Sequence, residues 1–296
     1  MKSEVFESYT RAGKVAKESR ELGISLAIEG AVVLDLVEEA ESLIRKRGAK
    51  PAFPINVAID SVAAHYTPRS DDRLRLEKGN VVKIDVGVHV DGYIGDTAAT
   101  VEIGTRNWSK LIEASEIALG IAIELVKPNA PIRMIGGAIE RSIEHSGFTP
   151  VANLTGHNLE KYSLHSGKSV PNILDNTTTK ALLGEALAIE PFATNGAGRV
   201  SGRRNGNIYQ FVKRGEAKKP RANELLKYIE EEFGTLPFAE RWCVDFDKKV
   251  RASIQRLLRK GLITSYPILS DVGKGMVSQA EHTVIVTEDG CKVTTG

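Results

Sequence analysis

Residues 81–101, VVKIDVGVHVDGYIGDTAATV, constrain the fold more tightly than any other stretch of the chain. Val82, Ile84, Val86 and Val88 alternate with Lys83, Asp85, Gly87 and His89, the period of a half-buried strand. Asp91-Gly92 is a hairpin signal, because both central residues of a type I′ turn take positive φ. A turn centred on that pair sets Asp85 opposite Ala98. Asp96, two residues from Ala98, then projects on the same face. The two aspartates become diagonal neighbours, roughly 7–8 Å apart at the backbone. Carboxylates converging on one sheet face repel unless something positive lies between them. A metal ion is the natural candidate, and oxygen-rich ligation admits two. Two solvated aspartates in a loop-rich hairpin are the plainer alternative.

The rest of the chain reads as alternating helices and strands. Residues 3–20 carry Val5, Phe6, Tyr9, Ala12 and Ala16 on one helical face. A stronger helix spans residues 31–47, with Val33, Leu36, Val37, Ala40, Leu43 and Ile44 as its apolar stripe and Gly48 at C′. Pro51 and Pro54 favour an extended passage towards His65. Helices follow at residues 107–126, ended by Pro128, and 132–146, closed by Gly147. Then come a turn-rich stretch with His157 and His165, and the apolar strand ALAIEPFA around Glu190. Twice, a helix ending in glycine precedes an extended segment carrying histidine, which suggests an internal duplication. GAGRVSGRRNGN lacks the strand-to-helix context of dinucleotide binding and reads as a loop.

Residues 208–266 differ in texture, rich in Lys, Arg and Glu with helical periodicity. They read as a helical subdomain inserted into a domain made of residues 1–207 and 267–296, with Phe233, Leu236, Trp242 and Leu258 as its own small core. Its basic side (Lys248, Lys249, Arg251, Arg256, Arg259 and Lys260) reads as a solvated helix face rather than a nucleic-acid patch. A formal charge of +2 gives no support to nucleic-acid or membrane-surface binding either. No signal-peptide pattern and no bilayer-length apolar run are present, so a cytoplasmic protein is expected. Cys243 and Cys291 make neither a disulfide framework nor a zinc motif.

Glu190 and Glu281 each interrupt an otherwise apolar strand, ALAIEPF and QAEHTVIV. A carboxylate there is costly unless paired or metal-bound. With Asp85 and Asp96 they make four acids on strands, and His157, in a flexible Thr155-Gly156-His157 turn, adds a nitrogen donor. Four carboxylates and one imidazole suit a pair of divalent first-row ions such as Mn, Co, Fe or Zn better than a structural zinc site. Other signals fail. Gly167-Lys168-Ser169 ends like a phosphate loop, but Tyr162 stands where that motif needs glycine. There is no G-x-S-x-G, and His89, His145 and His282 read as structural or solvent-facing.

The blocks IDVGVHVDGYIGDTAATV, TGHNLEKYSLHSGKSVP, AIEPFATNGAG and SQAEHTVIV resemble the metal-ligand blocks of methionine aminopeptidase. AAHYTP around His65 resembles that family's upstream substrate histidine. The late insertion and the His157–His165 spacing resemble its type II subclass, of compact archaeal type. The resemblance covers essentially the whole chain. It implies an α+β pita-bread fold, with central antiparallel sheet, outer helices, pseudo-two-fold symmetry and a winged-helix-like insertion. It also implies two divalent ions: Asp85 holding one, His157 and Glu190 the other, Asp96 and Glu281 bridging both. A bridging hydroxide would attack the carbonyl after the N-terminal methionine of a nascent protein with a small second residue. Glu190 would accept the proton, and His65 and His165 would position the substrate. Phe53, Leu164, Ile208 and Tyr266 would wall an apolar methionine pocket, or would be ordinary core.

The expected partner is the N-terminal peptide of new chains, with no membrane or specific nucleic acid, and the expected state is a monomer. The first helix begins almost at once, so ribosome association through a long charged extension is not expected. Two other functions compete: an Xaa-Pro aminopeptidase or dipeptidase of the same fold, and a non-catalytic pita-bread module that binds RNA or protein.

Overall fold

The structure is a computed structural model that describes residues 1–246 and 250–296, with Arg203 described by its backbone alone. The hairpin forms with the expected register. Strands Val81–Val90 and Tyr93–Glu102 pair antiparallel with Asp85 opposite Ala98 and Val90 opposite Tyr93. Asp91 and Gly92 take φ of 52° and 89°, the left-handed pair that a type I′ turn requires. The first strand is not half-buried, however. Lys83 and His89 are buried along with the valines. One face packs under helices α1 (Ser3–Leu26) and α2 (Val33–Lys46) through Val82, Ile84, Val86 and Val88. The other face is covered as well, with the Phe53 ring lying against Gly87. Period-two alternation shows which side chains share a face; it does not show whether the polar face meets water. Lys83 Nζ is satisfied by Asp60 O at 2.7 Å and Val81 O at 3.2 Å, and burial brings it down to about 7.

The second half repeats the plan. Helices α3 (Ser109–Glu124) and α4 (Ile132–His145) pack on an antiparallel five-stranded sheet through Leu111, Ile135 and Ile139 against Leu187, Ile189 and Val284. Each such side chain contributes about 1.5–3 kcal/mol on burial. The helices end as their sequences direct, with Gly48 and Gly147 at φ of 70° and 82° after α2 and α4. Helix α1 runs six residues past its expected end at residue 20, its added turns burying Gly23 against Ile84 of the hairpin. A third cluster joins the halves: Tyr9, Phe53, Ile94, Leu159, Leu164, Ala188, Leu236 and Ile285.

Two sequence readings are overturned. The glycine-rich GAGRVSGRRNGN stretch is not a loop, because most of it lies in the long strand Val200–Phe211, paired with Ile263–Asp271. Its ladder carries register shifts between Gly202 and Asn205 and between Asn205 and Ile208, which accommodate the glycines and polar residues. Residues 155–157 are not a flexible turn but the start of strand Thr155–Leu159, paired on both sides.

Between the two long strands lie helices α5 (Pro220–Phe233) and α6 (Val250–Arg259) over a core of Leu225, Ile229, Phe238, Ile254 and Leu257. Phe233, Trp242 and Leu258 pack on that core, whereas Leu236 belongs to the cluster that joins the halves. Residues 207/208 and 266/267, the limits read from the sequence, fall inside these paired strands. On the basic side, Arg251 is engaged by Asp71 and by Glu240 at 2.9 Å, and Arg256 by Ala217 O. Lys248 and Lys249 lie outside the described residues.

Helix α1 lies directly on the hairpin. A Cβ on Gly95 would stand 2.5 Å from the backbone nitrogen of Gly13. Gly95→Ala is therefore expected to destabilise the protein by about 1–3 kcal/mol in urea unfolding, since backbone must move to admit the methyl. Gly120→Ala, in α3 with open space around the new carbon, should instead stabilise by about 0.5–1 kcal/mol.

Candidate active site and metal centre

The two halves converge on one cavity of about 210 Å³. Asp85, Asp96, His157, Glu190 and Glu281 all line it, as do His65, His165 and the four apolar candidates Phe53, Leu164, Ile208 and Tyr266. The structure thus brings every residue singled out in the sequence to one place. Pro237, Phe192 and Asn56 line it as well and were not anticipated. Pro237 also borders a larger groove of about 980 Å³, across which Lys50 pairs with Glu232 at 3.0 Å.

The first half delivers its aspartates from the hairpin. The second half delivers its glutamates from breaks, not from strand interiors. Glu190 sits between strands Ala186–Ile189 and Phe192–Thr194, and Glu281 between Val277–Gln279 and His282–Val286. At Glu190 the chain passes from the five-stranded sheet to a three-stranded one, and at Glu281 it returns from the three-stranded sheet to the five-stranded one. The apolar run in the sequence hides this, because both flanking strands are buried.

Main-chain bonds hold the halves in register. Glu281 N donates to Ala98 O at 2.9 Å. Asp96 N donates to the Thr283 hydroxyl at 2.8 Å, which donates back to Asp96 O at 2.9 Å. The Thr97 hydroxyl donates to Glu281 O at 2.8 Å and accepts from Arg20. Gln279 Nε2 lies 3.4 Å from both Glu190 Oε2 and Glu281 Oε2. Sequence reasoning passed over Gln279, although its place two residues before Glu281 in SQAE was a signal.

His157 Nε2 stands 3.7 Å from Asp96 Oδ2 and 3.8 Å from Glu190 Oε1. Asp96, His157 and Glu281 each offer a donor atom within 4.8 Å of the others. Burial pushes Asp85 up to about 7. Burial, with the neighbouring acids second, holds Asp96, Glu190 and Glu281 well above the usual carboxylate range. Burial first, and His165 second, brings His157 down to about 3, so the ring is a neutral donor. Asp85 Oδ1 and Asp96 Oδ1 are buried without a hydrogen-bond partner. Four carboxylates that resist ionising alone, two orphaned oxygens and a neutral imidazole fit divalent cations.

His65 and His165 flank this cluster. His65 takes φ of 65°, and its half-buried ring meets that of Tyr266 edge-on at 5.2 Å. Burial brings it down to about 4, and its Nδ1 has no partner. His165 is exposed at the cavity mouth, its ring 4.3 Å from that of His157.

Removing metal should make stability depend on pH in a set direction. The raised carboxyls keep protons in the folded chain that the unfolded chain has lost above about pH 4. Their contribution is complete below that pH; that of Asp85 disappears as pH rises through about 7, and those of Asp96, Glu190 and Glu281 disappear as pH rises through their own raised values. With a chelator present, the unfolding free energy should fall between pH 5 and pH 8, by about 1.4 kcal/mol per pH unit for each carboxyl that is protonated only in the folded chain. Added Mn should abolish that fall and release protons on binding. Urea titrations at both pH values check the first part and calorimetry in two buffers the second.

Known proteins bear on what this cavity does. The family model for metallopeptidase family M24 matches residues 7–288. The methionine aminopeptidase of Methanocaldococcus jannaschii is 41% identical over 295 residues, covering all of both chains. That of Pyrococcus horikoshii is 43% identical over 289 residues, 96% of this chain and 97% of the relative. Among solved structures, a thermophilic Arx1 superposes with a TM-score of 0.88 at 18% identity, covering 100% of this chain and 92% of that one; this likeness concerns the fold alone. The chain belongs to metallopeptidase family M24, with its pita-bread fold and divalent metal, and among its members to the methionine aminopeptidases, which remove the N-terminal methionine of proteins.

Proposed function

We propose that Asp85, Asp96, His157, Glu190 and Glu281 hold two divalent ions, and that methionine is released at this centre from newly made chains with a small second residue. The observation that carries this reading is the meeting of four buried or half-buried, proton-retaining carboxylates and a neutral imidazole in one cavity. Charge balance supports two ions: four ionised carboxylates carry −4, which two divalent cations offset and one does not. Asp85 would hold one ion, His157 and Glu190 the other, and Asp96 and Glu281 both. The donor set suits Mn, Co, Fe or Zn.

Bound ions supply Lewis acidity and ionise water near neutral pH. The remaining steps belong to the chain's own residues. The acidic cluster draws the substrate's α-amine to the end of the cavity, which restricts cleavage to the first residue. Phe53, Leu164, Ile208 and Tyr266 enclose the methionine side chain and exclude water. Glu190 accepts the proton of the attacking water and passes it to the leaving amine. His65, neutral with a free ring nitrogen, and His165 hydrogen-bond the scissile carbonyl and amide. Gln279 holds Glu190 and Glu281 apart.

Residues 208–266 act as a helical subdomain that lends Ile208, Pro237 and Tyr266 to the wall. Every site residue comes from one chain, so a monomer suffices. New N-termini arise in the cytoplasm, and that is where such a monomer would work. Among the described residues no helix is long and apolar enough to cross a membrane.

Glu190→Gln should lower kcat by about 10²–10⁴-fold, the usual worth of a general base. His65→Ala should lower kcat while the purified protein keeps its metal content. Equal loss of metal in His65→Ala would remove His65 from the substrate side of the site. Peptide assays should show release of methionine from Met-Ala-Ser outpacing release from Xaa-Pro peptides, and the reverse order would favour the dipeptidase reading.

A further inference from the structure

His65 holds a backbone conformation that a non-glycine residue avoids, φ of 65°. What keeps it there lies in the residues after it. Tyr66 O accepts from Val57 N at 2.9 Å. Thr67 is fully buried; its nitrogen donates to Gly206 O at 3.1 Å and its carbonyl accepts from Asn207 Nδ2 at 2.9 Å. Gly206 passes so close that a Cβ there would stand 1.7 Å from His65 O. The Thr67 hydroxyl donates to Ile55 O at 2.8 Å and accepts from Arg241 Nη1 at 2.8 Å.

Arg241 comes from the 3-10 turn Glu240–Cys243, between α5 and α6. Its guanidinium is buried, with Nη1 also 3.3 Å from Pro68 O and Nη2 on Glu41 Oε1. Glu41, on α2, is 1% exposed and has no role in the centre described above. It also accepts from Trp242 Nε1 at 2.7 Å and Ile55 N at 3.3 Å. One buried ion pair therefore ties three things together: the inserted segment, helix α2 and the strand end that carries His65.

We propose that Arg241, anchored by Glu41, is a positioning residue that sets the placement of His65 over the substrate through Thr67. This rests on the substrate role proposed for His65. The planar fork of arginine suits the task, because it reaches a carboxylate and a hydroxyl at once from fixed directions. A lysine at the same place can meet Glu41 as a point charge without holding Thr67. A displacement of about 1 Å at a positioning group can cost about 100-fold in rate.

The test is a double-mutant cycle on the metal-loaded enzyme, with kcat, KM and metal content measured for Met-Ala-Ser hydrolysis. Arg241→Lys should lower kcat about tenfold with metal content unchanged. In the His65→Ala background the same change should lower kcat less than about twofold, because the group it positions is gone. Thr67→Val cuts the link while sparing the ion pair. It should show the same coupling, and it carries the test if the Arg241 variant does not fold. A full tenfold loss on top of His65→Ala, or wild-type kcat in both Arg241→Lys and Thr67→Val, would overturn the proposal. A His65→Ala enzyme with wild-type turnover would instead bring down the role of His65 itself.

Discussion

Four carboxyl groups, those of Asp85, Asp96, Glu190 and Glu281, share one small cavity, and most of the architecture can be understood from that crowding. Burial raises the proton affinity of all four, and neighbouring acids raise that of Asp96, Glu190 and Glu281 further. Such a cluster is unfavourable for a folded chain unless a cation is present. Arg20, whose charge favours ionisation of Glu281, is one partial offset, and Gln279 is another. Neither can balance four charges. A divalent cation bound among these acids would return the energy that folding without metal withholds.

Holding the acids in place takes stiff supports, and the two halves use different ones. The hairpin fixes its aspartates by turn chemistry and register, so both leave one face of a continuous ladder. The second half aims its glutamates from the points where two strands step from one sheet to another. A strand interior sends alternate side chains to opposite faces at fixed spacing. A break frees the backbone to turn one side chain inward, and the neighbouring sheets keep that turn rigid. Thr97 and Thr283 then cross-link the halves through main-chain groups of Asp96 and Glu281, so each acid is located by both halves.

Much of this is legible in the sequence where the signal is local. Asp91-Gly92 sets a register, and the register places Asp85 and Asp96 on one face. The helix ends at Gly48 and Gly147 are equally local. What escapes is whatever depends on a distant neighbour. The alternation of residues 82–89 reads as half-buried because nothing nearby says that a second layer covers Lys83 and His89. The strand Val200–Phe211 looks like a loop because its glycines are accommodated by the bulged ladder with Ile263–Asp271, a partner distant in the chain. His157 looks flexible beside Gly156 until its partners on both sides are known. Glu41 and Arg241, 200 residues apart, carry no local signal that sets them apart from other charged residues. Their burial follows only from each other, and no periodicity reports a pair at that separation.

The position of the insertion follows from the same division between acids and wall. It lies between Glu190 and Glu281 in the chain, where a loosely attached segment would disturb both. Asp271 prevents this. Its buried carboxylate accepts from Ala197 N, in the loop after the strand that follows Glu190, and from Gly273 N and Gly275 N, in the loop that leads towards Glu281. The two ends of the excursion are thereby clamped together on the side of the acids. Beyond the clamp the paired strands can carry helices, a separate core and new wall residues without altering the spacing of the carboxylates. An insertion tied off at its base and anchored a second time, at Glu41, can shape what enters the cavity while the acidic cluster stays as the two halves built it.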